Sequence, residues 1–197
     1  EIAVEKFIKH PEFNRIKKRH DIALIRLATA ADTSRNNIET ICLPTDAVND
    51  VDLVVRPKPK DEIPFTISGF GKLEDGKQSD ILQMAFVPYV TNAECIEKYS
   101  TTAAVTIHKE YLCAGGRNKT DTCHGNAKII LISNLLINLF LGDSGGPIFA
   151  LGKARNRAML YGVVIGGIDC SRPDLVFPGI YSDIRYYLKW ILDNIKP

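Results

Sequence analysis

Short runs of strand-forming residues, set apart by clusters of Gly, Pro, Asp and Asn, constrain this chain more than any other feature. They occupy residues 3–8, 23–27, 65–68, 81–90, 147–150, 159–165 and 179–184. Turn signals at hairpin distances between such runs are the pattern of an all-β sandwich or barrel. The segment Arg56-Pro-Lys-Pro-Lys-Asp-Glu-Ile-Pro64 is Pro-rich and charged, and reads as a linker between two β units. No internal repeat is present. The end of the chain changes period. Over residues 184–195 the apolar Tyr187, Leu188, Ile191, Leu192 and Ile195 recur at helical spacing, with Asp183 placed to cap. A surface helix on a β body is expected there.

A length of 197 residues allows one large domain or two small ones with real cores. A formal charge of +2 is too small to suggest nucleic acid or an acidic membrane surface as partner. The run Arg15-Ile-Lys-Lys-Arg-His20 is basic, but no aromatic residues interleave with it, so it reads as a solvated loop. Five cysteines stand far apart, with no Cys-x2-Cys and no His pair at ligand spacing. They fit no zinc pattern, and disulfides in an oxidising compartment are the better explanation. The odd count leaves one cysteine for a partner outside the chain. The opening residues Glu1-Ile-Ala-Val-Glu-Lys carry neither an initiating Met nor a signal peptide, and read as the middle of a longer protein.

The chemistry concentrates in Gly142-Asp-Ser-Gly-Gly-Pro147. Flanking glycines let the backbone turn sharply and leave amide hydrogens facing whatever Ser144 attacks, as an oxyanion site requires. As Gly-x-Ser-x-Gly the stretch could be the nucleophile elbow of an α/β-hydrolase. That fold needs a helix after the Ser and a later His. Here Pro147 and the strand-like Ile-Phe-Ala follow, and no His lies beyond His124. The elbow reading fails.

The same hexapeptide resembles the nucleophile motif of the trypsin-like serine proteases, and other motifs follow in that family's order. His20-Asp-Ile-Ala-Leu-Ile-Arg-Leu27 resembles its aspartate signature. Ile41-Cys-Leu-Pro44, Ser68-Gly-Phe-Gly71, Tyr111-Leu-Cys-Ala-Gly115, Pro178-Gly-Ile-Tyr181 and the closing Trp190-Ile191 helix are similar too. The clip-domain proteases of arthropod haemolymph look like the nearest branch. The resemblance implies an all-β fold of two antiparallel six-stranded Greek-key barrels with a C-terminal helix. Residues 1–55 would end the first, incomplete barrel and start the linker, 56–183 would form the second, and 184–197 the helix. It implies peptide hydrolysis after Arg or Lys, with Ser144 as nucleophile and Asp21 orienting the catalytic His. Gly142 and Ser144 would supply the oxyanion hole. Asp121 would sit at the base of the specificity pocket, with Gly167 and Gly179 in its wall. Asp143 would pair with the new amino terminus after zymogen cleavage. Ile165-Gly166 depart from the Ser and aromatic residue usual before Gly167, and Phe70 replaces a Trp. The implied disulfides are Cys95–Cys113 and Cys123–Cys170, although sequence alone allows three connectivities for four cysteines. Cys42 would bond to an upstream segment, a pro or clip piece. No metal or cofactor is required. Expected partners are a protein substrate and serpin-type inhibitors, in a secreted, extracellular setting.

The family order places the catalytic His well before Asp21. His20 is adjacent to Asp21 and would point to the opposite side of a strand. His10 stands in a Lys-His-Pro turn and is expected to be exposed. The general base is therefore expected outside these residues, and the chain as written should not turn over substrate at a normal rate. The alternative is an inactive serine protease homologue serving as a binding cofactor in a proteolytic cascade. Asn118-Lys-Thr120 is a glycosylation sequon. Between Gly125 and Gly142 runs an oily insert, about residues 126–141. Removing it with one glycine restores Cys-His-Gly-Asp-Ser-Gly-Gly-Pro. It is short for a membrane span and holds Lys128, Asn134 and Asn138. Gly-Asn and Leu-Gly can be encoded with a GT start and an AG end in one codon phase, so a retained intron is the expected origin.

Overall fold

The computed structural model describes residues 1–45, 65–70, 79–102, 105–116, 144–151, 157–166 and 177–195. Its strands are β1 (Val4–Lys9), β2 (Ala23–Leu27), β3 (Phe65–Gly69), β4 (Gln83–Val87), β5 (Tyr89–Val90), β6 (Tyr111–Ala114), β7 (Pro147–Leu151), β8 (Ala158–Gly166) and β9 (Gly179–Asp183). Two helices, α1 (Asn92–Ser100) and α2 (Ile184–Asn194), complete the described elements.

Period-two burial builds the main sheet. Phe65 and Ile67 on β3, Ala85 and Val87 on β4, and Leu112 and Ala114 on β6 turn inward to meet Ile148, Tyr161, Val164 and Tyr181. On β4 the alternate residues Met84 and Phe86 face out. The sheet order is β4-β3-β7-β8-β9-β6-β5, every neighbouring pair antiparallel. Its two ends, β4 and β5, are one run of chain broken only at Pro88, so the sheet closes on itself as a six-stranded barrel. Proline has no amide to give the ladder, which explains the break. β7 returns beside β3, the Greek-key arrangement.

The other sheet is a two-stranded ribbon, β1 against β2. It is the described part of a first barrel, which is incomplete in this chain. The ribbon is tied to the closed barrel through α2. Ile184, Tyr187 and Ile191 of the helix pack with Ile22, Leu24, Leu43, Leu160 and Val163.

The helix over 184–195 forms as its period predicts, capped by Asp183, whose carboxylate accepts the Arg185 amide at 2.9 Å. Ile184 opens this helix instead of ending a strand. Leu192 and Ile195, expected in the apolar stripe, are exposed at its outer end. Two further elements go beyond the sequence reading. β6 has all four residues buried and so shows no alternation. α1 is polar around most of its surface and turns only Cys95 and Tyr99 inward. Its one local signal is a capping box, Thr91 with Glu94. The Cys95–Cys113 disulfide fixes α1 to β6 and sits in a second cluster with Val90, Tyr99, Tyr111 and Ile180. The linker at 56–64 and the insert at about 126–141 lie outside the described residues.

Candidate active site

The chain enters β7 through a turn that carries Ser144. Gly145 there has φ +90, a left-handed conformation that side chains rarely adopt. Its amide donates to the Val164 carbonyl at 2.9 Å, and the Val164 amide donates back to the Gly146 carbonyl at 2.9 Å. This reciprocal pair clamps the serine turn to the last residues of β8. Ser144 is solvent-exposed.

Asp21 reaches the same end of β8 from the first β unit. Its carbonyl accepts the hydroxyl of Ser182, a fully buried residue of β9, at 2.7 Å. Together with Ile165, Gly166, Tyr111, Arg15 and Lys18, Asp21 lines a cavity of about 390 Å³. Gly166 takes φ +151, so the position of the family's usual aromatic is held by a residue that leaves the cavity wall open. The Asp21 residue is exposed as a whole, but partial desolvation of its carboxyl pushes its pKa up.

The turn leading to Asp21 is built, not loose. Asn14 and Arg19 form a backbone bridge, and the Asn14 side chain accepts the Lys17 amide at 2.9 Å. Arg19 donates to Glu110, which is wholly buried, and the Tyr111 hydroxyl donates to the Lys18 carbonyl. Burial alone would raise the Glu110 pKa, but the Arg19 hydrogen bond and charge outweigh it and hold the carboxyl below its ordinary value. Burial, reinforced by Glu110, pushes the Tyr111 phenol up to about 12. The basic run is thus solvated only in part. Ile16 projects into water, while Arg19 anchors the turn and His20 is buried.

The histidines before Asp21 face elsewhere. His20 lies ahead of β2 rather than within it, at φ +53, with Nδ1 3.3 Å from the Tyr187 hydroxyl. His10 is not exposed, as its turn had suggested. It is half-buried, with ring centroid 4.9 Å from that of His20 and 5.0 Å from that of Trp190. Burial, then the neighbouring His20, lowers the His10 pKa. Neither ring lines the cavity beside Asp21.

Of the remaining candidates, Gly179 opens β9, buried and paired with Ala114. Cys42 is a half-buried free thiol whose strand-like backbone bridges β8, its amide donating to Ala158 and its carbonyl accepting from Leu160. Gly142, Asp143, Asp121, Gly167, Cys123, Cys170 and Asn118 lie outside the described residues. Glu110, Tyr111 and Ser182, which hold the Asp21 turn, escape the sequence reading because their partners are 91, 93 and 161 residues away. No local pattern announces a contact of that span.

A Greek-key barrel with a glycine-flanked serine at its lip, joined to a second β unit that presents a carboxylate, is the architecture of the double-barrel serine hydrolases. The trypsin family matches residues 1–127 and 138–191, and the chain belongs to that family of serine endopeptidases. The match is interrupted at 128–137, inside the oily insert. Phenoloxidase-activating factor 1 of Holotrichia diomphalia is 32% identical over 203 residues, spanning 100% of this chain and 46% of that protein. CLIP domain-containing serine protease B15 of Anopheles gambiae is 33% identical over 96% of this chain and 45% of its own length. Trypsin-1 of Astacus astacus is 30% identical over 98% of this chain and 67% of its own. The chain therefore spans less than half the length of these two insect relatives.

Proposed function

We propose that the protein to which this chain belongs is an extracellular, trypsin-like endopeptidase cleaving after Arg or Lys, made as a zymogen. The observation that carries this is the convergence of the Ser144 turn and Asp21 on Val164–Gly166 of β8. In this reading Ser144 attacks the scissile carbonyl and forms an acyl-enzyme that water then hydrolyses. Asp21 holds an imidazole in the tautomer that accepts the serine proton. That imidazole is a residue other than His10 and His20, which pack against α2. The amides of Gly142 and Ser144 receive the oxyanion, and Asp121, between Gly167 and Gly179, receives the substrate cation. Asp143 takes the amino terminus freed on activation. Cys42, with no partner among the described residues, bonds to a pro or clip segment, and Cys123 bonds to Cys170. Protein substrates and serpin-type inhibitors are the fitting partners.

The test is hydrolysis of Arg- and Lys-terminated peptide amides by the activated full-length protein. Ser144→Ala should lower kcat on the order of a millionfold and Asp21→Asn on the order of ten-thousandfold. Full-length protein that binds substrate-like inhibitors without any Ser144-dependent turnover would instead establish the inactive homologue.

A further inference from the structure

A second cluster of chemically capable side chains lies outside the cavity beside Asp21, at the base of the turn spanning residues 10–22. His10, Glu12 and His20 each offer one ligand atom, and these atoms lie within 4.8 Å of one another. The cluster has a defined backbone. The His10 amide donates to the Ile22 carbonyl at 3.1 Å, and the His10 carbonyl accepts the Phe13 amide at 3.0 Å. The Ile22 amide donates to the His20 carbonyl at 2.9 Å, which closes the turn on the other side. His20 is held at φ +53 and is nearly buried, while the Glu12 side chain is open to solvent.

We propose that His10, Glu12 and His20 form a binding site for a divalent transition cation, zinc foremost, with water in the remaining position. Two imidazoles and a carboxylate suit that class of ion, and zinc takes such ligands at about 2.0–2.2 Å in a tetrahedron. The His20 ring is already aimed. Its Nδ1–H can donate to the Tyr187 hydroxyl, 3.3 Å away, which leaves the lone pair on Nε2 facing the Glu12 carboxylate at 3.8 Å. A hydrogen bond on the second nitrogen is how metal-ligating histidines are commonly fixed. The rings of His10 and His20 lie nearly parallel, 11° apart with centroids 4.9 Å from one another, so the half-buried His10 ring must turn about its side-chain bonds to aim a nitrogen at an ion held by His20 Nε2. Ligand atoms that lie within 4.8 Å of one another must draw in by up to about 1.4 Å to reach tetrahedral spacing. Glu12, exposed and rotatable, can close its own distance to His20, while the His10 ring must supply the rest. The Glu12 amide now donates to His10 Nδ1 at 3.2 Å and can pass to water if the ion takes that lone pair. Thiols compete for a borderline ion, and Cys42 is free; the cluster itself contains none. Because His20 adjoins Asp21, a bound ion would brace the turn that presents the carboxylate, whether or not the protein is a protease.

The only tryptophan of the chain, Trp190, lies 5.0 Å from His10 and reports on the site directly. The experiment uses the whole chain without an affinity tag, its thiols alkylated, titrated with Co2+ and then Zn2+. Expected are saturable quenching of Trp190 at one equivalent of Co2+, a visible absorption band of tetrahedral cobalt, and loss of both on adding Zn2+. Glu12→Gln alters an exposed residue and should weaken binding about tenfold or more, and His10→Gln likewise. His20→Ala should abolish binding, and circular dichroism shows whether that variant has folded. Absence of saturable quenching overturns the proposal, as does binding by Glu12→Gln and His10→Gln with the affinity of the parent chain.

Discussion

The ribbon and the closed barrel are both antiparallel β structure, yet they bury their residues very differently. In the barrel, Ile67, Val87, Leu112 and Ile148 are essentially inaccessible. In the ribbon, Phe7 is 64% exposed and Ile25 56%, with Val4 and Leu27 also facing water. Strand-forming sequence is present in both. What differs is closure. A sheet that meets its own edge encloses a core, whereas the ribbon, among the described residues, has only two strands and does not close. The ribbon persists because α2 covers part of that face and because its leading turn is anchored on β6. The candidate site needs both regions, since Ser144 belongs to one and Asp21 to the other.

Removing the Cys95–Cys113 bridge by a double Ser substitution should have the largest effect on barrel stability. The disulfide closes a loop of 18 residues, and its loss should cost about 3 kcal/mol in denaturant unfolding. Gly162→Ala should come next. A β-carbon there would meet Ile148 Cγ2 at 2.8 Å and Tyr181 Cβ at 3.0 Å, and overpacking of this kind costs about 1–3 kcal/mol.

Acid should act on the joint between the regions. The folded Glu110 carboxyl is held below its ordinary value, so its contribution is complete above the unfolded pKa of about 4.3 and is lost as pH falls through the folded one. Glu110→Gln should flatten the fall in stability below about pH 4.3, as read by urea unfolding at successive pH values. The smallest effect belongs to the ribbon. Phe7→Lys should change stability by no more than about 0.5 kcal/mol while reducing self-association in sedimentation. A large loss from that change would mean the ribbon shares the barrel's core after all.

Legibility followed the range of the interaction. β3, β7, β8 and β9 could be read to within a residue or two because alternation and turn residues are local, and α2 because its stripe and Asp183 cap are local. β6 could not, since Tyr111-Leu-Cys-Ala114 is buried on both faces. Nor could α1, whose contact with the barrel rests on two residues at i and i+4. Among the site candidates, Ser144 and Asp21 were visible through their motifs. The exposure expected of His10 and Arg19 was wrong, because neither Trp190 nor Glu110 is near them in the chain.

The sequence by itself pointed to the family and the β character and singled out Ser144 and Asp21 as the site candidates, since each is written in a short contiguous motif. Tertiary structure decided that the 81–90 run bends at Pro88 to close the barrel. It also decided that a buried Glu110 holds the basic turn and that His10, Glu12 and His20 meet beside Trp190. Those outcomes depend on contacts between distant segments, which form only once hydrogen bonding and apolar burial have brought the strands into one sheet.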